Sequence, residues 1–355
     1  MRNPLSRDLD LVLTQTAGLW DDLRGGRVLV TGGTGFFGCW ILESLLWAND
    51  RLGLEVSVVV LTRSAAAFSV KAPHIASHAA VTLNEGDIRS FGWSSGSLSH
   101  VIHAGTDTSV PHTREDRLRV FDTIVDGTRR ILEVAERAGA GRLLMTSTGA
   151  VYGRQPADVS HVPEEYAGAP DATCSKHAGA EAKRAAEMLC AIYAAGSLHT
   201  TIARGFAFLG PYLPLDSHLA LGNFISAALD GKPIRIVGDG TPLRSYMYAA
   251  DLAAWLWTIL LRGGRGQAYN VGSEHAISIA DMARAVATAA GGGSEVVIAG
   301  QATGGPVERY VPSTRRARTE LGVKVTVDFN EALTRTLEWY RSRPTVLKQA
   351  SHGAR

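Results

Sequence analysis

The sequence predicts an α/β protein: a Rossmann-type, doubly wound parallel sheet with a smaller C-terminal substrate-binding domain. Three observations carry this. Short apolar runs alternate with amphipathic helical stretches from residue 26 to about 195, the signature of strand–helix–strand crossovers. A glycine-rich turn, "TGGTGFFG", follows the first run and opens a helix. After Gly210 the texture turns loop-rich, in "PYLPLDS" and "GDGTPLRS", as where a chain leaves a regular sheet.

The elements follow in order. "GRVLVTGGTGFFGCWILESLLWAND" opens the ordered part as strand, turn and helix, and "EVSVVVLTR" is a second buried strand. "HVIHAGT" and "RLLMTST" are two more, joined by "RLRVFDTIVDGTRRILEVAERAGA" with apolar residues at helical spacing. A long helix from about Ala178 to Ala195 and a strand "TTIARGFAFLG" come next. A further helix and the strand "AYNVGS" return to the sheet, while "ISIADMARAVATAAGGG" and "FNEALTRTLEWY" are helices of the smaller part. The expected division is a dinucleotide-binding domain at 1–210, completed by about 250–275, with 211–249 and 276–345 forming the substrate-binding domain. Residues 346–355 are expected to be a frayed tail.

Composition excludes several functions. The chain has 355 residues, 45% of them apolar, which suits a globular core. A formal net charge of +2 gives no electrostatic case for nucleic acid or a membrane surface. "STRRAR" is too short a basic run to change that and suits a solvated helix face. Cys39, Cys174 and Cys190 are too few and scattered for a disulfide framework or a metal site. No apolar run reaches the ~20 residues of a membrane span, and the N-terminus lacks a signal-peptide pattern. A cytoplasmic protein acting on a small molecule, with a homodimer as one assembly, is expected.

The glycine turn carries a cofactor. Gly32, Gly35 and Gly38 are spaced three apart between strand and helix, where they allow a tight turn, close approach of a pyrophosphate and close helix packing. The helix N-terminus adds free N–H groups and partial positive charge. An NAD site places an acid at the end of the second strand, but here that strand ends Thr62, Arg63, Ser64. Arg63 suits a 2′-phosphate, so NADP(H) is favoured, with NAD(H) still usable if Arg63 stacks over the adenine. Asp87 in "EGDIRS" either accepts from the adenine amine or caps a turn.

These residues, with "VIHAG", "TSTGAVYG", "KRAAE" and "VGDGTPLRSYMYAADLA", resemble the extended short-chain dehydrogenase/reductases, the group of nucleotide-sugar epimerases and dehydratases. The resemblance implies that Thr148 hydrogen-bonds the reacting carbonyl and that Lys183 holds the nicotinamide ribose. It implies cofactor contacts at Gly32, Gly35, Phe36, Phe37, Gly38, Arg63, Asp87, Ile88, Ala104 and Lys183, and substrate contacts at Asn223, Arg244, Tyr246 and Arg309; the alternative for Asn223, Arg244 and Arg309 is that they are inherited residues serving packing or surface solubility. Two departures matter. The dehydratases carry Asp-Glu after the threonine, whereas this chain has Gly149 and Ala150. The acid–base tyrosine belongs four residues before Lys183, where Gly179 stands; taking Lys176 instead finds Ala172.

A ketone receiving a hydride must also gain a proton, and a positioned acid is worth ~10²–10⁴-fold in rate. Thr148 is too weak an acid, and Lys183 is expected about one turn away under the ribose. His177 points to nearly the opposite side of the helix from Gly179, and Tyr212, Tyr246 and Tyr248 fit packing or substrate contact better than acid catalysis. The substrate could bring its own phenol, and a flat aromatic could fill the space at Gly179. The pattern is similar to that of the atypical angucyclinone ketoreductases, which implies NAD(P)H-dependent reduction of an aromatic polyketide ketone in antibiotic biosynthesis. The alternatives are a nucleotide-sugar epimerase or reductase with a displaced acid, and a non-catalytic cofactor-binding protein.

Overall fold

The structure, a computed structural model, describes residues 3–93, 96–106, 112–216, 219–301 and 304–343; the tail expected at 346–355 lies outside them. The chain runs through α1 (Ser6–Gln15), β1 (Arg27–Thr31), α2 (Phe36–Leu52), β2 (Ser57–Thr62), α3 (Ala65–Lys71), α4 (Pro73–Ala76), β3 (Val81–Glu85), β4 (His100–His103), α5 (Arg114–Arg137), β5 (Arg142–Thr148), α6 (Ala178–Ala194) and β6 (His199–Gly205). It continues through β7 (Phe208–Leu209), α7 (Ala220–Leu229), β8 (Ile234–Ile236), β9 (Leu243–Ser245), β10 (Met247–Tyr248), α8 (Ala249–Arg262), β11 (Ala268–Val271), β12 (Ala276–Ser278), α9 (Ile279–Ala289), β13 (Val296–Ile298), β14 (Arg309–Tyr310), α10 (Arg315–Leu321) and α11 (Phe329–Arg341).

Seven strands form one parallel sheet in the order β11-β6-β5-β4-β1-β2-β3. The central strands are apolar along their length, with Val28, Leu29, Val30, Val101 and Ile102 fully buried, because a parallel sheet is covered on both faces. One cover is α1, α2 and α8, whose apolar residues join one core cluster; the other is α5 and α6, whose residues form a second. The strand order reverses between β1 and β4. That switch opens a crevice at the strands' carboxyl ends, where ligands bind in sheets of this kind.

Two expectations need correction. The fold starts before Gly26, at α1. There Leu5, Leu9 and Val12 recur at helical spacing and are buried, while Asp8 is gripped by Tyr248 and Arg335. The run "TTIARGFAFLG" is two strands rather than one. β6 stays with β5 as far as Gly205, opposite Thr148, and the chain then shifts so that β7 pairs with β10. The break frees the Phe206 side chain to turn toward the crevice.

Beyond β7 the chain forms small sheets, β10-β7, β12-β9-β14 and β13-β8, with α7, α9 and α11 around them. Between them, α8 and β11 return to the large sheet.

Candidate active site

The glycine turn makes a cradle at the end of β1. Gly32 has φ +67°, a left-handed backbone that favours glycine, and a Cβ there would strike the Ala104 carbonyl. A Cβ on Gly38 would strike the Gly32 oxygen and the Gly33 Cα, so α2 lies against the turn. Gly35 caps α2 without any side-chain hydrogen bond, leaving its N-terminus to an anion. A dinucleotide pyrophosphate fits this cradle. Phe36 and Phe37 open the helix, and the Phe37 ring meets Phe208 edge-on at 5.0 Å. Ile88 packs so closely on α5 that a Cβ on Gly127 would lie 2.9 Å from its Cγ2.

Arg63 is exposed at the end of β2. Asp87 follows β3, where its Oδ1 accepts from the Arg89 backbone N–H at 2.8 Å and both carboxylate oxygens are taken by the Arg89 guanidinium. Of its two expected roles, the structure displays the turn cap. The Arg89 hydrogen bonds hold the carboxyl down at about 2.

Beneath the crevice, His103 is sealed between Thr31 (2.8 Å) and Thr128 (3.0 Å). Thr128 Oγ1 already donates to Ile124 O and Thr31 Oγ1 already accepts from Gly105 N–H. The ring therefore donates from Nε2 and accepts at Nδ1. Burial pushes its pKa down to about 3, aided by the nearby Lys183 charge. It is a neutral spacer.

Lys183 sits on α6, buried, and its Nζ donates to Thr146 O at 2.7 Å. Burial lowers its pKa to about 8. Gly179 lies one turn earlier on the same face of α6. A Cβ there would meet only Val120 Cγ1, at an ordinary contact distance of 3.7 Å, so the backbone accepts a side chain. α6 is fixed by Glu187, which accepts from Ser147 of β5 at 2.6 Å and pairs with Arg204 of β6 at 2.7 Å. Arg204 also donates to the Tyr152 hydroxyl, which itself bonds Asn270.

Thr148 ends β5. Its Oγ1 accepts from Ala150 N–H at 3.2 Å and lies 3.3 Å from the Tyr310 hydroxyl. A Cβ on Gly149 would lie 2.7 Å from the Phe206 ring, so no carboxylate-bearing residue fits there without moving that ring. Phe206 packs on Tyr310 with ring centroids 4.7 Å apart and planes inclined by 38°. The crevice around Thr148 is thus aromatic.

The expected substrate residues are spread out. Arg244 pairs in register with Tyr310 and binds Glu308 at 2.5 Å. Arg309 pairs with Leu243, so strand alternation turns it to the opposite side of the ribbon from Arg244 and Tyr310. Asn223 is exposed on α7, and Tyr246 packs on Phe329. The other tyrosines weighed as acids are committed to packing: Tyr212 donates to Glu43 at 2.6 Å and Tyr248 to Asp8 at 2.7 Å. His177 clips the loop through Asp171 O. The sequence reading missed Tyr310 and Phe206, although Tyr310 adjoins Arg309 in "VERYV", where alternation must turn one of the two inward.

The Cys39 and Cys190 thiols are buried, which raises their pKa values to about 11 and about 12 and leaves them unreactive. Among the described residues no His, Cys, Asp or Glu cluster could hold a metal, and no helix is long and apolar enough to cross a membrane.

A parallel sheet with a glycine cradle at its switch point and a threonine–lysine pair beside it defines a nicotinamide-dinucleotide oxidoreductase fold. Residues 28–272 match the NAD dependent epimerase/dehydratase family, and the chain belongs to that family. Its relatives include UDP-glucuronic acid decarboxylase 1 of Xenopus tropicalis, 29% identical over 89% of this chain and 72% of the relative. Another is a dTDP-glucose 4,6-dehydratase of Streptomyces niveus, 27% identical over 89% of this chain and 93% of the relative. Among solved structures, UDP-glucose 4-epimerase of Thermotoga maritima superposes with a TM-score of 0.76 at 23% identity, covering 89% of this chain and 99% of that one. DesIV, the dTDP-glucose 4,6-dehydratase of Streptomyces venezuelae, gives 0.77 at 24% identity, covering 89% and 97%. Both establish the fold. As a group the relatives fit a nucleotide-sugar enzyme better than an aromatic-ketone reductase.

Proposed function

We propose that the chain is an NAD(P)(H)-dependent oxidoreductase that interconverts a carbonyl and an alcohol, and that its acid has been displaced from α6. The observation that carries this is that the Gly32–Gly38 cradle after β1, Thr148 at the end of β5 and Lys183 of α6, bonded to Thr146 O of β5, all lie at the carboxyl end of one sheet, with only β4 between β1 and β5. Kinship favours a nucleotide sugar as substrate, and in this reading Arg244, now paired with Glu308, would exchange that carboxylate for the sugar's diphosphate. Reduced nicotinamide, when bound, supplies a hydride. Thr148 Oγ1, already accepting from Ala150, keeps its proton to donate to the substrate oxygen. Lys183 holds the ribose. Gly149 and Ala150 bring no carboxylate, so 4,6-dehydration is not the outcome.

A second reading has a specific observation behind it. The tilted Phe206–Tyr310 ring pair beside Thr148 and the missing side chain at Gly179 suit a flat aromatic ketone, such as an angucyclinone in antibiotic biosynthesis. A phenol beside that ketone would then supply the proton at no extra encounter cost.

One assay separates the readings. The purified chain is mixed with NADPH or NADH and two panels, keto-sugars of UDP and dTDP and aromatic polyketide ketones, and loss of reduced-nicotinamide absorbance is followed. Turnover of the first panel supports the sugar reading, and turnover of the second supports the aromatic one. Turnover of neither, with cofactor shown to bind and no UDP- or dTDP-sugar epimerised in a parallel product assay, leaves a non-catalytic cofactor-binding protein.

A further inference from the structure

We infer that Tyr310, on β14, is the enzyme's own proton donor, reaching the reacting oxygen from the C-terminal side of the crevice rather than from α6. The inference rests on the carbonyl–alcohol chemistry proposed above and replaces the substrate-derived proton.

The first argument is position. Tyr310 Oη lies 3.3 Å from Thr148 Oγ1 and 3.5 Å from Gly205 O, a long hydrogen bond that a substrate oxygen can displace, unlike the short bonds of the other tyrosines. A carbonyl oxygen accepting from Thr148 at an ordinary ~2.8 Å can stand within a similar distance of the phenol, since the three oxygens close a nearly regular triangle. The second is rigidity. The ring packs tilted against Phe206, and its strand is held in register with β9, so the phenol is held in place before substrate arrives.

The third is charge. Burial raises the Tyr310 pKa, while the Thr148 hydrogen bond, the Arg244 charge and the Gly149 and Ala150 amides pull it back. The same groups that oppose the rise would stabilise a tyrosinate, a service performed here without Lys183. The fourth is elimination. Tyr212, Tyr248 and Tyr152 donate to Glu43, Asp8 and Asn270. Tyr246 packs on Phe329, and Lys183 is turned to Thr146 O.

The step balances. The carbonyl carbon gains a hydride from reduced nicotinamide dinucleotide, and the C–O π pair passes to oxygen. That oxygen takes the Tyr310 proton as the phenolic O–H bond breaks, and solvent then reprotonates the tyrosinate.

The test uses Tyr310→Phe, which keeps the packed ring, and the full chain with 3-fluorotyrosine at 310, which carries a more acidic phenol. Tyr310→Phe is expected to lower kcat ~10²–10⁴-fold, with KM and cofactor affinity within roughly threefold and the melting temperature unchanged. The rate needs the protonated phenol, so it falls as pH rises through the phenol's pKa, and fluorination is expected to move that fall to lower pH. The ¹⁹F resonance at 310 is expected to shift when the ketone binds. A Tyr310→Phe enzyme within about threefold of the active wild type, or an unmoved pH limb, overturns the assignment of Tyr310 alone. A wild type that reduces no carbonyl overturns the underlying function, and this assignment with it.

Discussion

Restoring tyrosine at position 179 divides the account from its rivals. Gly179 is the second residue of α6, its φ is not positive, and a Cβ there would touch only Val120 Cγ1 at 3.7 Å. The backbone therefore accepts Gly179→Tyr without strain. Tyrosine exceeds glycine in helix propensity by about 0.5 kcal/mol, so the variant is expected to fold and to be as stable as the parent or slightly more so. If the enzyme lacked an acid, a phenol one turn before Lys183 would raise kcat by up to the ~10²–10⁴-fold that such groups supply. With Tyr310 already on Thr148, no such gain is expected. The new ring would compete with a bulky aromatic ketone for the crevice and lower its kcat/KM by about tenfold or more. Steady-state kinetics at saturating NADPH and a thermal melt decide the matter. A kcat raised tenfold in a normally folded variant refutes the reasoning.

Three further outcomes follow from the geometry. Gly149→Asp drives a Cβ into the Phe206 ring at 2.7 Å, and overpacking of this kind costs about 1–3 kcal/mol; it is expected to lower the urea midpoint and to create no dehydratase activity. Arg63→Ala, at an exposed site, is expected to weaken NADPH about tenfold in a fluorescence titration while NADH changes little, and equal effects on both would remove the 2′-phosphate role. His103 titrates near 6.5 when unfolded but near 3 in the fold, so the unfolded chain binds the extra proton. Its contribution is complete above pH 6.5 and is lost as pH falls toward 3. Between pH 6.5 and 4.5 this is on the order of 2 kcal/mol, and His103→Gln is expected to show a smaller loss over that interval by urea unfolding.

Much of this was legible in the sequence because local rules govern it. The β1 turn, α2, the parallel strands and α6 are set by periodicity and by glycines whose Cβ atoms would collide. Thr148, Lys183 and Gly179 were singled out by the family resemblance, and the structure puts Thr148 at the end of β5 and the other two one turn apart on α6. Other parts depend on contacts distant in sequence. α1 is specified by Tyr248 and Arg335, more than two hundred residues away. Phe206 faces the crevice only because the chain changes strand partner after Gly205. Tyr310 meets Thr148 across 162 positions, through a two-residue strand too short to show a period. Arg309 and Arg244 look equivalent as sequence, and only the register of β14 on β9 turns them apart.

The most direct measurement compares Thr148→Val with wild type in single-turnover oxidation of bound NADPH by the ketone that proves reactive. The substitution keeps the shape of the side chain and removes the hydroxyl that bonds both Ala150 and Tyr310. The account predicts a rate at least a hundredfold lower, on the scale of a lost transition-state hydrogen-bond donor, with the NADPH dissociation constant unchanged. A variant that turns over at the wild-type rate would contradict it.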